Sequence, residues 1–76
     1  MPYEKGDYIK VEAVNQETGE SERLWVEVDH CDEGKRIVFG RLDNMPVLNT
    51  DMKLGQELAV SYDNIREHRK SASFNS

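Results

Sequence analysis

The sequence predicts a mainly β fold: a small single-domain antiparallel barrel or bent sheet with a short helical turn near the C-terminus. Three observations lead to this prediction: short segments alternate apolar and polar residues, polar turn-forming runs separate them, and the chain has only 76 residues. Alternation with a period of two places one set of side chains on each face of a strand. A chain of this length buries only about 60% of the surface that it exposes when unfolded, which leaves room for one core. We therefore predict one β domain over residues 1–70 and a flexible C-terminal tail over residues 71–76.

The first two predicted strands alternate most clearly. In the segment DYIKVEAV the apolar residues occupy alternate positions, and the polar run NQETGESE, which contains Gly19, then forms a turn. The segment RLWVEVDH resumes the alternation as strand two. The side chains predicted for the inner face of these strands are Ile9, Val11, Ala13, Leu24, Val26 and Val28.

The second half of the chain contains shorter elements. The segment KRIVFGRL is rich in β-branched and aromatic residues, which predicts strand three. Pro46 and Gly55 interrupt the next region, and a short fourth strand is predicted at Glu57 to Ser61. The segment YDNIREHRK has few apolar anchors, which favours one helical turn and a short last strand over a long amphipathic helix. Because closure or bending protects strand edges, the expected architecture is SH3-like or OB-like.

The stretch VDHCDEGKRI contains a histidine, a cysteine and two acids, and its residue order is typical of a hairpin turn. Asp32 and Glu33 suit a type I turn, and Gly34 suits the left-handed position after it. With a bulge at Gly34, the aliphatic residues of strands two and three collect on one side. The register predicted in this way places Val28, Val26 and Leu24 opposite Val38, Gly40 and Leu42.

The same stretch does not predict a metal site or a nucleophile. His30 and Cys31 are neighbours on a strand, so their side chains point to opposite faces and do not enter one site. His68 is the only other histidine, so cysteine and histidine side chains do not provide the four ligands of a structural zinc site. The sequence also lacks a glycine-flanked nucleophile and a phosphate-binding glycine loop. We expect a free thiol at Cys31, no catalytic residues, no cofactor, no metal and no enzyme activity.

The charge of the chain bears on its partners. Fifteen acidic and 10 basic residues give a formal net charge of -5. This charge argues against direct binding to nucleic acid, because that affinity comes from displacing counterions with lysine and arginine. It favours a basic partner, although an acidic balance also serves solubility alone.

The sequence also predicts a cytoplasmic location. No run approaches the roughly 18 apolar residues of a membrane span, and the first residues, MPYEKGDYIK, lack the apolar core of a secretory signal. The single cysteine excludes an internal disulfide. We expect no contact with a membrane.

Several short motifs of the chain resemble the bacterial YegJ-type domain of unknown function. In that family a Trp-Val/Leu-Glu strand precedes a Gly-x-Leu-x-Asn-x-Pro segment, a Lys-x-Gly turn and an acidic-x-Ile close. The corresponding positions here are Trp25, Val26, Glu27, Gly40, Leu42, Asn44, Pro46, Lys53, Gly55, Asn64 and Ile65. Family members often continue with Asp-Trp after the isoleucine, whereas this chain has Glu67 and His68. The resemblance covers about residues 6–68 and implies a fold and a bacterial or phage source, but no activity.

The face opposite the aliphatic core is the predicted partner-binding surface. It carries Trp25, Glu27, Asp29, Phe39 and Arg41, and aromatic residues and arginine are enriched at the centres of interfaces. In the predicted register the guanidinium of Arg41 stacks on the indole of Trp25. A second interpretation of the same aromatic rings is that the last strand and the tail cover them as a minor core.

Two functions follow from this surface. The first is a non-enzymatic protein-interaction module whose partner is a protein of unknown identity. The alternative is a small acidic inhibitor, for instance phage-encoded, that blocks a basic nucleic-acid-binding surface of a host enzyme.

The alternation predicts that Val26 lies in the core. We therefore expect Val26→Ala to lower the free energy of unfolding by about 1 to 3 kcal/mol, through the loss of buried methyl groups and a small cavity. The neighbouring change Glu27→Ala, on the opposite face, should alter it by less than about 0.5 kcal/mol. Urea denaturation of both variants measures these differences, and an unchanged midpoint for Val26→Ala would contradict the assignment.

Overall fold

The computed structural model describes residues 3–49 and 51–70. Within these residues it has five strands and a 3₁₀ turn: β1 (Tyr8–Val14), β2 (Ser21–Asp32), β3 (Ile37–Leu42), β4 (Glu57–Ser61), the 3₁₀ turn (Tyr62–Asn64) and β5 (Ile65–Arg69). The mainly β class, the five strands and the helical turn are confirmed, and β4 has the predicted bounds. The tail predicted at residues 71–76 lies outside the described residues.

The five strands form one antiparallel sheet in the order β4-β3-β2-β1-β5. The two edge strands, β4 and β5, are connected directly by the 3₁₀ turn. In a flat sheet these edges would lie about 19 Å apart, because neighbouring strands are about 4.8 Å apart. The path from Ser61 to Ile65 spans at most about 14 Å. The sheet must therefore bend, and it does so without closing into a barrel.

The longest strand, β2, joins the two halves of the sheet. Residues 21–27 of β2 pair with β1, and residues 26–32 pair with β3. The sequence prediction ended this strand at His30, whereas the structure adds Cys31 and Asp32. Each outer hairpin therefore uses a different part of the same strand, which offsets β1 from β3 along β2.

The predicted register between β2 and β3 is wrong by two residues. Val28 pairs with Gly40 instead of Val38, and Val26 pairs with Leu42 instead of Gly40. The inner face keeps the same residues, because a shift of two positions does not change the face of a side chain. The shift does change every cross-strand neighbour on the outer face.

The predicted bulge at Gly34 is also wrong. The irregularity in the β2–β3 ladder lies between Val28 and His30, inside the strand. The turn after β2 closes because Oδ1 of Asp32 accepts the backbone N–H of Lys35 at 3.1 Å. The left-handed residue of this turn is Arg36, with φ of 57°.

The inner face of the bent sheet forms the core. All the residues predicted for this face are buried except Ala13, which is half-buried at its margin, and residues of β2 and β4 complete it. The buried apolar set is Ile9, Val11, Leu24, Val26, Val28, Cys31, Val38, Leu42 and Val60.

The segment before β1 is fixed to the edge strand β5. Asp7 is only 1% exposed, and its carboxylate lies 2.7 Å from Nε2 of His68 and accepts the backbone N–H of Glu4 at 3.1 Å. The ring of Tyr3 packs edge-on against the imidazole of His68, with 4.8 Å between centroids. A buried carboxylate requires such partners, so this contact helps to determine where β5 lies.

The sheet leaves no room for a side chain at Gly40. A methyl group on its Cα would overlap the backbone oxygen of Glu27 and lie 2.8 Å from Cγ1 of Val26. We expect Gly40→Ala to lower the free energy of unfolding by about 3 kcal/mol or more, because β2 and β3 must separate to accept it. Gly34→Ala is the matched control, since its added methyl would contact only a side-chain oxygen, at 3.4 Å. Denaturation of the two variants decides the point, and equal midpoints would contradict the close approach.

Candidate functional site

The predicted partner-binding residues lie on the face of the sheet that points away from the core, which we call the outer face. Along β3, Val38, Gly40 and Leu42 are buried, so Phe39 and Arg41 alternate to the other side. Trp25 and Glu27 on β2 alternate in the same way with the buried residues of that strand. Sequence periodicity thus placed these residues on the same face of the sheet.

The bulge in β2 brings two consecutive side chains to the outer face. Asp29 contacts Arg41, with Oδ2 at 3.6 Å from Nε, and the ring of His30 stacks on Phe39. The two ring centroids are 4.8 Å apart and the ring planes differ by 23°. Cys31 then returns to the core. Strict alternation would have directed His30 inward, so the bulge creates this part of the surface.

A groove of about 320 Å³ lies beside the stacked rings. Its origin is a difference in side-chain size, because Phe39 on β3 pairs with the small residue Ala59 on β4. Every residue around it belongs to β2, β3 or β4. The residues that line this outer-face groove are Asp29, His30, Phe39, Gly40, Glu57, Leu58 and Ala59.

A row of charges borders the groove. Arg41 pairs across the sheet with Glu27 on β2 and with Glu57 on β4, and it also contacts Asp29. Three acidic residues therefore neighbour Arg41 in the sheet, and the carboxylate of Asp29 is the one that contacts its guanidinium. Of these, Glu27 and Glu57 form no ion pair within residues 3–49 and 51–70. This end of the outer face has an excess of negative charge.

Trp25 lies at a different place on the outer face. Its cross-strand neighbour is Lys10 of β1, so the predicted stacking of Arg41 on its indole is wrong. The cations over its ring are Lys10, with Nζ at 5.0 Å from the centroid, and Arg69 of β5, with Cζ at 5.2 Å. Asp43 donates its backbone N–H to the carbonyl of Trp25, which places this tryptophan about 13 Å along the strands from Phe39.

Cys31 is a buried thiol on the inner face. Its sulfur lies 3.3 Å from the carbonyl oxygen of Tyr3 and close to the hydroxyl of Tyr62. Interaction with the Cys31 side chain, followed by burial, raises the pKa of Tyr62 to about 12. His30 points away from Cys31, as the sequence predicted. No cluster of three or more metal-ligating side chains occurs among the residues that the structure describes.

The carboxylate of Glu22, which the sequence did not predict as a site residue, organises the loop between β3 and β4. It accepts the backbone N–H groups of Val47, Leu48 and Asn49 at 3.0, 2.7 and 2.8 Å, and the side-chain amide of Asn49 at 3.0 Å. These hydrogen bonds lower the pKa of Glu22, with the bond from Val47 as the main cause. No sequence pattern indicated this contact, because its partners are 25 to 27 positions away.

The loop held by Glu22 exposes apolar side chains. Met45 is 74% exposed, Val47 is 77% exposed and Leu54 is 58% exposed. At the start of the loop, the side chain of Asn44 accepts the backbone N–H of Trp25 and so continues the ladder beyond the end of β3. The backbone of the loop is thus tied to the sheet while several of its apolar side chains face outward.

In the described part of the chain, no helix is long and apolar enough to cross a membrane. Comparison with protein-family models, with curated proteins and with solved structures finds no match to this chain.

The lowered pKa of Glu22 predicts a pH-dependent contribution to stability. A carboxylate with a lowered pKa stabilises the fold above its usual value of 4.5, and this contribution disappears as the pH falls through the lower folded-state value. Glu22→Gln should therefore be less stable than the parent protein at neutral pH, and the difference should shrink in acid. An amide keeps one acceptor oxygen and adds two donors, which do not match the N–H groups of the loop.

Thermal unfolding between neutral pH and pH values well below 4.5 measures this difference. The control is Glu20→Gln, which removes the same charge from a carboxylate without hydrogen bonds in the described residues. A stability difference for Glu22→Gln that stays constant with pH would show that the carboxylate charge is not its source.

Proposed function

We propose that this protein is a non-enzymatic protein-interaction module that binds its partner through the outer face of the sheet. The observation that carries the proposal is the stacked pair His30 and Phe39 beside the outer-face groove. Phe39 is only half-buried, and the groove lies on a face that the described strands leave uncovered. Aromatic side chains next to a groove, with charged groups at the rim, are typical of binding centres.

The proposed surface has two parts, which differ in whether side chains of the chain itself already cover the aromatic ring. Trp25 already has two cations of the chain over its ring, whereas Phe39 has the groove at its side. We place the centre of the interface at Phe39, with Asp29 and Arg41 at its rim. Glu27 and Trp25 extend the surface toward β1.

Three finer features belong to the same proposal. A 3₁₀ turn between the last two strands, with both strands at sheet edges, supports an SH3-like arrangement over an OB-like one. Membership of the YegJ-type family, and with it a bacterial or phage source, rests on the motifs around Trp25, Gly40 and Gly55. A cytoplasmic location rests on the single cysteine.

The second candidate function is an acidic inhibitor that occupies a basic nucleic-acid-binding surface of a host enzyme. Two observations favour it: the net charge of -5 and the three acidic residues that neighbour Arg41 in the sheet. Capture of such an enzyme would weaken steeply with salt, and duplex DNA would compete for it. A captured partner that DNA does not displace would contradict the inhibitor function and leave the interaction module in place.

The interaction module predicts that outer-face variants lose partner capture before they lose stability. We expect Phe39→Ala to weaken capture from a lysate of the native host by about 30-fold, because truncation at a binding centre costs about 2 kcal/mol or more. Trp25→Ala, where the surface extends toward β1, should weaken capture by a smaller factor. Exposed cation–ring contacts contribute about 0.5 to 1 kcal/mol each, so Trp25→Ala should destabilise the fold only modestly.

Val26→Ala is the matched control, since it changes the residue next to Trp25 on the buried face. It should lose stability and keep capture at temperatures where it is folded. If Trp25→Ala or Phe39→Ala melts as early as Val26→Ala and captures the partner normally, the outer face is a second core and not a binding surface.

A further inference from the structure

The shape of the outer-face groove limits what it can hold. Its volume of about 320 Å³ lies at the lower end of the range of about 300 to 1,000 Å³ for ligand pockets. The ring of Phe39 forms one wall, and Ala59 of β4 forms an apolar floor. Leu58 lines the groove as part of β4, but it packs against the core on the inner face. These dimensions suit one long side chain that lies along apolar surface with its polar end at the rim.

The charges at the rim select the sign of that polar end. Glu57 and Asp29 both line the groove, and Glu27 lies in the same cross-strand row. Arg41 is the cation at this point, 3.6 Å from Asp29, and its side chain is 59% exposed. Glu57 forms no ion pair among the described residues, so a carboxylate at the mouth of the groove can accept a cation.

We propose that the outer-face groove binds the side chain of an arginine in a partner protein. This inference rests on the proposed interaction function and specifies the residue that the surface recognises. A guanidinium is planar, stacks on aromatic rings and donates paired hydrogen bonds to carboxylates, whereas the ammonium of lysine is compact and strongly hydrated. Phe39 provides the ring, and Glu57 and Asp29 provide the carboxylates.

A contact between a guanidinium and an aromatic ring, like the one that we propose, already occurs within this chain. At the other end of the outer face, the guanidinium of Arg69 lies 5.2 Å from the centre of the Trp25 ring. Close by, Lys10 makes an ion pair with Glu67 at 3.0 Å. A ring, a cation and a carboxylate therefore already combine on this face. The groove at Phe39 has the ring and the carboxylates, with no lysine or arginine of the chain among its lining residues.

The test uses N-acetyl-arginine methylamide as the probe and the backbone amide signals of the full chain as the readout. We expect saturable shifts at Phe39, Gly40 and Ala59, with an apparent affinity at least about threefold higher than for the lysine analogue. The citrulline analogue has nearly the same shape without the charge, and it should produce no saturable shift at these amides.

Three variants separate charge, shape and non-specific attraction. Glu57→Gln should lower the affinity for the probe by about threefold, which is within the range that exposed ion pairs contribute. Ala59→Leu fills the groove without changing the charge and should abolish binding, while its amide spectrum reports whether it is folded. Glu17→Gln removes the same charge from the distant β1–β2 turn and should leave the affinity unchanged.

Three results would overturn the inference: no saturable shift, equal binding of citrulline, or equal weakening by Glu17→Gln and Glu57→Gln. If the arginine probe does not bind while Phe39→Ala still abolishes partner capture, the proposed arginine recognition is wrong and the interaction module stands. If the probe binds while Phe39→Ala leaves capture intact, the groove recognises arginine and the proposed interaction through this face is wrong.

Discussion

The outer face depends on how closely the backbones of β2 and β3 approach each other at Gly40. Any side chain at this position would overlap the carbonyl oxygen of Glu27, so the approach requires glycine. The bulge after Val28 follows immediately along β2 and adds one residue to that strand. As a result, Asp29 and His30 both reach the outer face, and the core receives the thiol of Cys31 instead of an imidazole. Without the extra residue, a polar ring would face the aliphatic core and the aromatic stack on Phe39 would not form.

The two aromatic residues of the outer face show how one sheet surface can serve two purposes. Trp25 lies where β1, β2 and β5 run side by side, and long cationic side chains of the neighbouring strands cover its ring. Phe39 lies where β4 is the next strand, and its neighbour there is Ala59, which is too small to cover a ring. The first ring is therefore partly a structural element, which agrees with the interpretation of these rings as a minor core. The second ring keeps an open side.

The sequence was sufficient to predict most of the fold, because the evidence for it is local. Alternation around Val26 and Val38 identifies the strands and the buried face, and the fourth strand was predicted at its observed bounds. The register between β2 and β3 was not predictable from alternation, since a shift of two residues preserves the faces. A signal for the bulge was present: two polar residues, Asp29 and His30, separate the apolar positions 28 and 31 where strict alternation allows one.

The candidate site was only partly predictable for the same reason. Asp29 and Phe39 were assigned to the correct face. The groove also needs His30, which reaches this face because of the bulge, and Ala59, which the β3–β4 pairing places beside Phe39. The association of Trp25 with β1 and β5 depends on strand order, which a single sequence does not specify. Glu22 was missed because a carboxylate that binds backbone N–H groups of a remote loop leaves no pattern in the sequence.

The groove is preformed because β4, an edge strand of five residues, is held at both ends. Before it starts, Leu42 donates its N–H to the carbonyl of Gln56 and accepts the N–H of Gly55, at 2.9 and 2.8 Å. After it ends, Tyr62 donates its N–H to the carbonyl of Arg36 at 3.0 Å, which connects the 3₁₀ turn to the β2–β3 hairpin. A short edge strand without such contacts would fray, and a partner would have to order it on binding. With both ends fixed, the position of Ala59 relative to Phe39 is set before any partner arrives, so binding energy need not be spent on forming the groove.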